Sequence, residues 1–264
     1  MDVASAPFEV VLSHAELAFL LTLFNAAPRL GVDRDPFDGL DDTQIAIAHA
    51  TARDALRARD LLRLGADDRL LVNDDLLRVL ETYTSAQTIV TAYRYAADEE
   101  LPLAWFGYRR ADVAVIHTRP ADLLHTFAAA ADDAYLAKAL VDFCAGGAPT
   151  APAGASLTLP GGVMAAARAY ADGGQAAEVA QVLHAAGLDG DTATALAADL
   201  TNPAALTAIT FAATGGDVAP RRRDAVYWQS TIPATRFIVY AEGDVVQVSS
   251  GNETDMLAIF NEMV

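Results

Sequence analysis

The chain has 264 residues, 53% of them hydrophobic, and carries 35 acidic against 18 basic side chains for a formal charge of −17. That length supports a full core, in one large domain or in two closely joined small ones. So acidic a chain is repelled by a phosphate backbone, which works strongly against nucleic acid as a partner and suits solubility or a partner with basic patches.

The single Cys144 excludes an internal disulfide and a cysteine-based zinc site, and it points to a reducing compartment. The opening MDVASAPFEVV has neither the basic segment nor the apolar run of a signal peptide. No stretch reaches the roughly 18 apolar residues that a bilayer span needs. The expectation is a soluble cytoplasmic protein without a membrane partner.

In chain order, Phe8 to Leu12 reads as a short strand, and Ser13 with Glu16 forms the capping box of a helix whose inner face is Leu17, Leu20, Leu21 and Phe24. Asp33 to Asp42 reads as a loop, followed by one helix from about Asp42 through His49 and another from Thr51 to Leu64. Gly65 to Asp68 turns the chain into a strand at Arg69 to Val72, and Asn73 or Asp74 caps the next helix. Helix, acidic turn, wing-like strand and helix together resemble a winged helix-turn-helix. Thr88 to Tyr95 begins the strand region.

Trp105 to Phe127 and Phe237 to Phe260 form two similar passages. Tyr108, Asp112, Val113 and Ile116 fall on Tyr240, Asp244, Val245 and Val248, each at a shift of 240 − 108 = 132. Each passage reads as a hairpin turning at Arg109-Arg110-Ala111 or Ala241-Glu242-Gly243, then a helix that includes Leu124 to Phe127 or Leu257 to Phe260. Further matches place Leu17, Leu21 and Phe24 on Leu136, Leu140 and Phe143, and Leu56 and Leu61 on Leu183 and Leu188. Asp133 to Phe143 and Pro160 to Ala171 read as helices, and 146–154 is a Pro/Ala/Gly-rich tract.

These matches predict an internally duplicated α+β fold. Halves 1–132 and 133–264 share a central, mostly antiparallel sheet, related by a pseudo-two-fold axis, and each carries a helical bundle. The second half lacks the wing strand and gains an insertion at 215–235. A lone hairpin is marginal, so two halves that pool their strands bury faces that neither could bury alone.

No catalytic constellation appears, and no cofactor or metal is expected. His14, His49, His117, His125 and His184 lack metal-ligand spacing and read as surface residues or background support, with His125 on a helix. Cys144 reads as a small packed hydrophobe, and Trp105 and Tyr108 as sheet core. There is no phosphate-binding glycine loop and no G-x-S-x-G elbow. The acidic pairs Asp67-Asp68 and Asp74-Asp75 read as a turn and a cap rather than a calcium loop.

Arg221, Arg222 and Arg223 make the one dense basic run, and Tyr227 and Trp228 follow it inside the insertion. Arginine with aromatics is the composition of interface hot spots, so these five are the candidate partner-binding residues. The alternative is a solvated turn followed by core-facing strand aromatics.

The segments VVLSHAELAFLLTLFNAAPRL (10–30), RDALRARDLLRLGADDRLLVNDDLLRVL (53–80) and 219–264 resemble the EspG family of cytoplasmic chaperones in ESX (type VII) secretion. The resemblance implies two quasi-symmetric halves with a shared antiparallel sheet and two helical bundles. It implies a non-enzymatic chaperone that binds a helical, secreted partner and keeps it soluble; a monomer and a homodimer are both compatible with the sequence. The partner surface it implies is the sheet and the C-terminal bundle, here about Gln175 to Thr201 with Tyr227 to Val248. The competing readings are a winged-helix regulator and an enzyme whose site forms only in three dimensions. The first is opposed by its own recognition helix, where Arg78 stands among Asp74, Asp75 and Glu81.

Overall fold

The structure, a computed structural model, describes residues 8–27, 35–67, 69–96, 100–121, 123–147, 156–215, 218–230, 236–249 and 252–263. Most of the Pro/Ala/Gly-rich tract, and residues 216–217 and 231–235 of the expected insertion, lie outside them.

The helices are α1 (His14–Leu23), α2 (Asp42–Ala58), α3 (Asp74–Thr84), α4 (Asp133–Ala145), α5 (Gly161–Asp172), α6 (Ala176–Ala185), α7 (Gly190–Thr201) and α8 (Glu253–Met263). The strands are β1 (Glu9–Ser13), β2 (Leu62–Leu64), β3 (Leu70–Val72), β4 (Thr88–Ala96), β5 (Leu103–Arg110), β6 (Val113–Ala121), β7 (Leu124–Ala130), β8 (Leu157–Pro160), β9 (Pro203–Gly215), β10 (Val218–Ser230), β11 (Arg236–Glu242) and β12 (Val245–Ser249). The strand order is β1-β7-β6-β5-β4-β9-β10-β11-β12-β8, with β2-β3 apart as a small hairpin. The registers β1/β7, β2/β3, β5/β6, β6/β7, β10/β11, β11/β12 and β12/β8 are all antiparallel. The fold is α+β, as expected.

The chain divides into two compact units: Met1–Ile89 with Ala104–Leu136 and Thr214–Val218, and Val90–Leu103 with Ala137–Ala213 and Ala219–Val264. In the first, α1 starts as the capping box dictates. The Ser13 amide donates to Glu16 Oε2 at 2.7 Å and the Glu16 amide to Ser13 Oγ at 3.2 Å. Glu16 is buried, and Arg59 answers its charge at 3.1 Å while donating to the Val11 carbonyl at 2.5 Å. Leu12, Leu17 and Leu20 line the core with Tyr83, Phe106, Tyr108 and Phe127. Asn73 caps α3 through the amides of Asp75 and Leu76.

Three expectations for this unit need correction. Asp42–Ala58 is one continuous helix, and Leu62–Leu64 is a strand paired with Leu70–Val72. Helix periodicity does not mark where an apolar stretch changes partner. Leu124–Ala130 is a strand as well, paired with both β1 and β6. Its alternation buries His125 and Phe127, and pairing on both sides overrides the helical reading of LLHTF. The second passage does end in a helix, α8, so at this point the two passages adopt different structures.

The third correction concerns histidines. His14, His117 and His125 are not surface residues: all three are buried, and His125 stands on a strand. They hydrogen-bond in a row, His117 Nε2 to His125 Nδ1 at 2.9 Å and His125 Nε2 to His14 Nδ1 at 3.3 Å.

The matched hairpins share a device at their turns. The strands run on to the pairs Arg110↔Val113 and Glu242↔Val245, leaving two-residue loops Ala111-Asp112 and Gly243-Asp244. The first loop residue has positive φ in both, 50° at Ala111 and 62° at Gly243. Glycine takes that conformation freely, whereas alanine pays for its Cβ. Ala111→Gly is therefore expected to raise stability by about 0.5–1 kcal/mol in denaturant unfolding, relief of strain outweighing the added freedom of the unfolded chain. An unchanged or lower midpoint would count against this reading of the turn.

In the second unit, α5, α6 and α7 enclose a core of Met164, Ala167, Val179, Leu183, Ala193, Leu196 and Leu200, joined by Leu159, Trp228 and Val248 from the strands. No strand separates α6 from α7. Cys144 is fully buried, and burial pushes its thiol up to about 12, so it packs as the small hydrophobe expected.

Candidate functional site

The expected insertion is not a loop. Its described part is strand β10, so the five candidate residues divide by strand alternation. Arg221, Arg223 and Tyr227 share one face; Arg222, Val226 and Trp228 share the other. On the first face, Arg221 Nη1 donates to the Glu262 carbonyl at 3.3 Å, and Arg223 pairs with the Glu262 carboxylate near the end of α8. Tyr227 is buried there.

On the other face Arg222 pairs with Asp224 at 3.1 Å, and Thr210 donates to Asp224 at 2.6 Å. Burial pushes the Asp224 carboxyl up, but Thr210 and Arg222 outweigh it and hold the group below the usual carboxylate range. The basic run is thus occupied by its own chain.

Trp228 is where this face becomes a site. Its indole Nε1 donates to the Asp199 carbonyl at 2.9 Å, which locks the ring against α7. The Arg168 guanidinium lies 4.5 Å above the ring and pairs through Nε with Asp172 at 2.8 Å, an i,i+4 pair on α5. Around Trp228 opens a cavity of about 360 Å³ whose walls are nearly all carbon. Tyr95 of β4, Met164 of α5, Leu200 of α7, Leu206 of β9 and Val226 of β10 line it, with Arg168 at its edge. Tyr95 is 53% exposed and Val226 36%, so the concavity is open to solvent. Apolar walls with a few placed polar groups are the make-up of a recognition pocket.

The helix bundle that forms one wall is held by local signals. Asp189 caps α7 by accepting from the Thr192 amide at 2.9 Å, a bond that also holds its carboxyl below the usual range. Leu200 and Trp228 fall in the stretches implied as the partner surface, and Val226 lies just before them. Tyr95, Met164, Arg168 and Leu206 carried no such signal: they come from three elements, β4, α5 and β9, and only folding brings them together. Among the described residues no group of three or more His, Cys, Asp or Glu could hold a metal ion, and no helix is long and apolar enough to cross a membrane.

An antiparallel sheet beside a three-helix bundle, with an apolar concavity where they meet, defines an α+β protein built for recognition. The chain belongs to the EspG family, whose model matches residues 15–252, as the resemblance in its sequence implied. Its fold is similar to that of the type VII secretion system chaperone EspG5 of Mycobacterium tuberculosis, solved in complex with the PE25–PPE41 dimer. The TM-score is 0.68 at 16% identity, over 95% of this chain and 94% of that one. No curated protein matches the sequence significantly.

Proposed function

We propose that this chain is a non-catalytic secretion chaperone that binds a helical secreted protein in the cytoplasm and keeps it soluble, with the cavity around Trp228 receiving the partner's apolar residues. The observation that carries the reading is the apolar, solvent-open concavity at the junction of β4, β9, β10, α5 and α7 in a chain of the EspG family. A 360 Å³ recess suits one or two large aliphatic or aromatic side chains projecting from a helix tip. Arg222 and Trp228 lie along this face. Arg221, Arg223 and Tyr227 lie on the other face of β10, where they support the sheet and α8.

The test uses the purified chain and a secreted helical protein or heterodimer encoded by the same cell, mixed and followed by size-exclusion chromatography and calorimetry. The expected result is a stoichiometric complex. Val226→Arg, which puts a charge at the mouth of the cavity, is expected to weaken binding at least about 30-fold, as losing a hot spot of about 2 kcal/mol does. Its exposure makes little change in the melting temperature expected. Arg221→Ala is expected to leave affinity within about threefold. Equal effects from the two variants, or none from Val226→Arg, would remove the cavity from the binding surface.

A further inference from the structure

His117, His125 and His14 occupy the core of the first unit. His117 is stacked on Phe127 at 4.4 Å and on Phe106 at 5.2 Å, with Tyr83 edge-on at 6.0 Å. Its Nδ1 is buried and has no hydrogen-bond partner among the described residues. Its Nε2 meets His125, and His125 in turn meets His14, the first residue of α1.

We infer that these imidazoles are neutral and ordered as a one-way chain, each an Nε2–H tautomer donating His117 to His125 to His14, and that a further proton breaks the chain and loosens β1 and α1 from β7.

Each of the two gaps between rings holds one proton. In the reverse order His14 would donate to His125 and His125 to His117, which would force the proton of His117 onto Nδ1. That would be a buried N–H with no acceptor, costlier than the unfilled lone pair the proposed order leaves there. A fourth proton has two kinds of place to go. At His117 Nδ1 it makes that orphan donor and adds charge among aromatic rings. At any other ring nitrogen between the histidines it turns a donor–acceptor pair into two facing donors.

The groups around the chain do not favour a cation. Glu16 on α1 is engaged by Arg59 from the end of α2. Tyr83 on α3 and Tyr108 on β5 present rings to His117, and Arg119 on β6 adds positive charge. On β7 the sequence LHTFAAA has no charged residue, and the one carboxylate of β1, Glu9, stands exposed at its far end. Burial, then His125 and Arg119, push His117 down to about 3. The chain reaches the β1–α1 corner because Leu12 pairs with His125 and the His14 amide donates to the Leu123 carbonyl at 2.8 Å.

The experiment is side-chain nitrogen NMR of the full chain with labelled histidine, titrated from pH 8 to 4, alongside amide exchange. At pH 7 the three rings are expected as Nε2–H tautomers, with hydrogen-bonded Nδ1 acceptors at His125 and His14. At pH 4 the amides of β1 and α1 are expected to exchange at least tenfold faster than at pH 7, after correction for intrinsic rates, and those of α5 to α7 to change less. In His117→Phe, which keeps the aromatic stack, that acid-induced difference is expected to vanish. An Nδ1–H tautomer at His117, independent titration of the three rings near the ordinary histidine value, or β1 exchange no more acid-sensitive than α5 to α7 would overturn the proposal. The wild-type spectra decide the tautomer order even if His117→Phe does not fold.

Discussion

Trp228→Ala is expected to destabilise the second unit by about 4 kcal/mol, in the range found for large aromatic truncations in a packed core. The ring is 4% exposed and touches a cluster drawn from α5, α6, α7 and the strands. Truncation leaves a cavity, removes the indole donor from the Asp199 carbonyl and takes the stacking surface from Arg168. Trp228→Phe is the control. It keeps most of the volume and the face beneath Arg168 but loses the N–H, for an expected cost of about 1–2 kcal/mol. The chain has two tryptophans, so in either variant Trp105 alone reports by fluorescence, and circular dichroism of the helices is the better probe of the second unit. A loss below about 1 kcal/mol for Trp228→Ala would mean that the ring is not the keystone between β10 and α7. Because Trp228 carries this stability, the binding role of the cavity is tested at Val226.

Acid is expected to unfold the first unit over a window that only a buried histidine can set. Unfolded, His117 has an ordinary value near 6.5; folded, it lies at about 3. Above pH 6.5 both states are neutral and the group adds no pH dependence. Between 6.5 and about 3 the unfolded chain takes a proton that the folded chain refuses, so stability falls as pH falls, by about 1.4 kcal/mol per unit. The accumulated loss reaches about 4–5 kcal/mol near pH 3.

Carboxylates act elsewhere on the scale. Asp189 and Asp224 have folded values below the usual range, so what they add is present above the ordinary carboxylate value and lost below it. The fall between pH 6.5 and 4.5 therefore belongs to histidine. Urea midpoints at pH 7.5, 6 and 5 measure it, and His117→Phe is expected to flatten most of the slope. A wild-type midpoint constant from pH 7.5 to 5 would contradict it.

Much of the fold was legible because it rests on local chemistry. Ser13 and Glu16, Asn73, and the turn before Val245 each state a boundary in two to four residues. Family membership was legible from the order of such segments. The errors came where local preference was weak. LLHTF suits a helix or a strand, and β1 and β6 on either side made it a strand. The same pairing carried His125 inward, so that no spacing rule could have joined it to His14, 111 positions away. Arginine density marked β10 as a place of interest, yet parity along the strand decided which of its residues line the cavity.

Sequence by itself determined the composition class, the caps, the two matched hairpin turns and the apolar faces of the helices, because these depend on neighbours within a few positions. Only tertiary structure decided that Tyr95, Met164, Arg168, Leu206, Val226 and Trp228 enclose one recess, and that three scattered histidines share two protons between them. Both arrangements exist through contacts between distant segments, whose free energy comes from burial and from satisfying buried polar groups. No window of the chain contains that term until the sheet has formed.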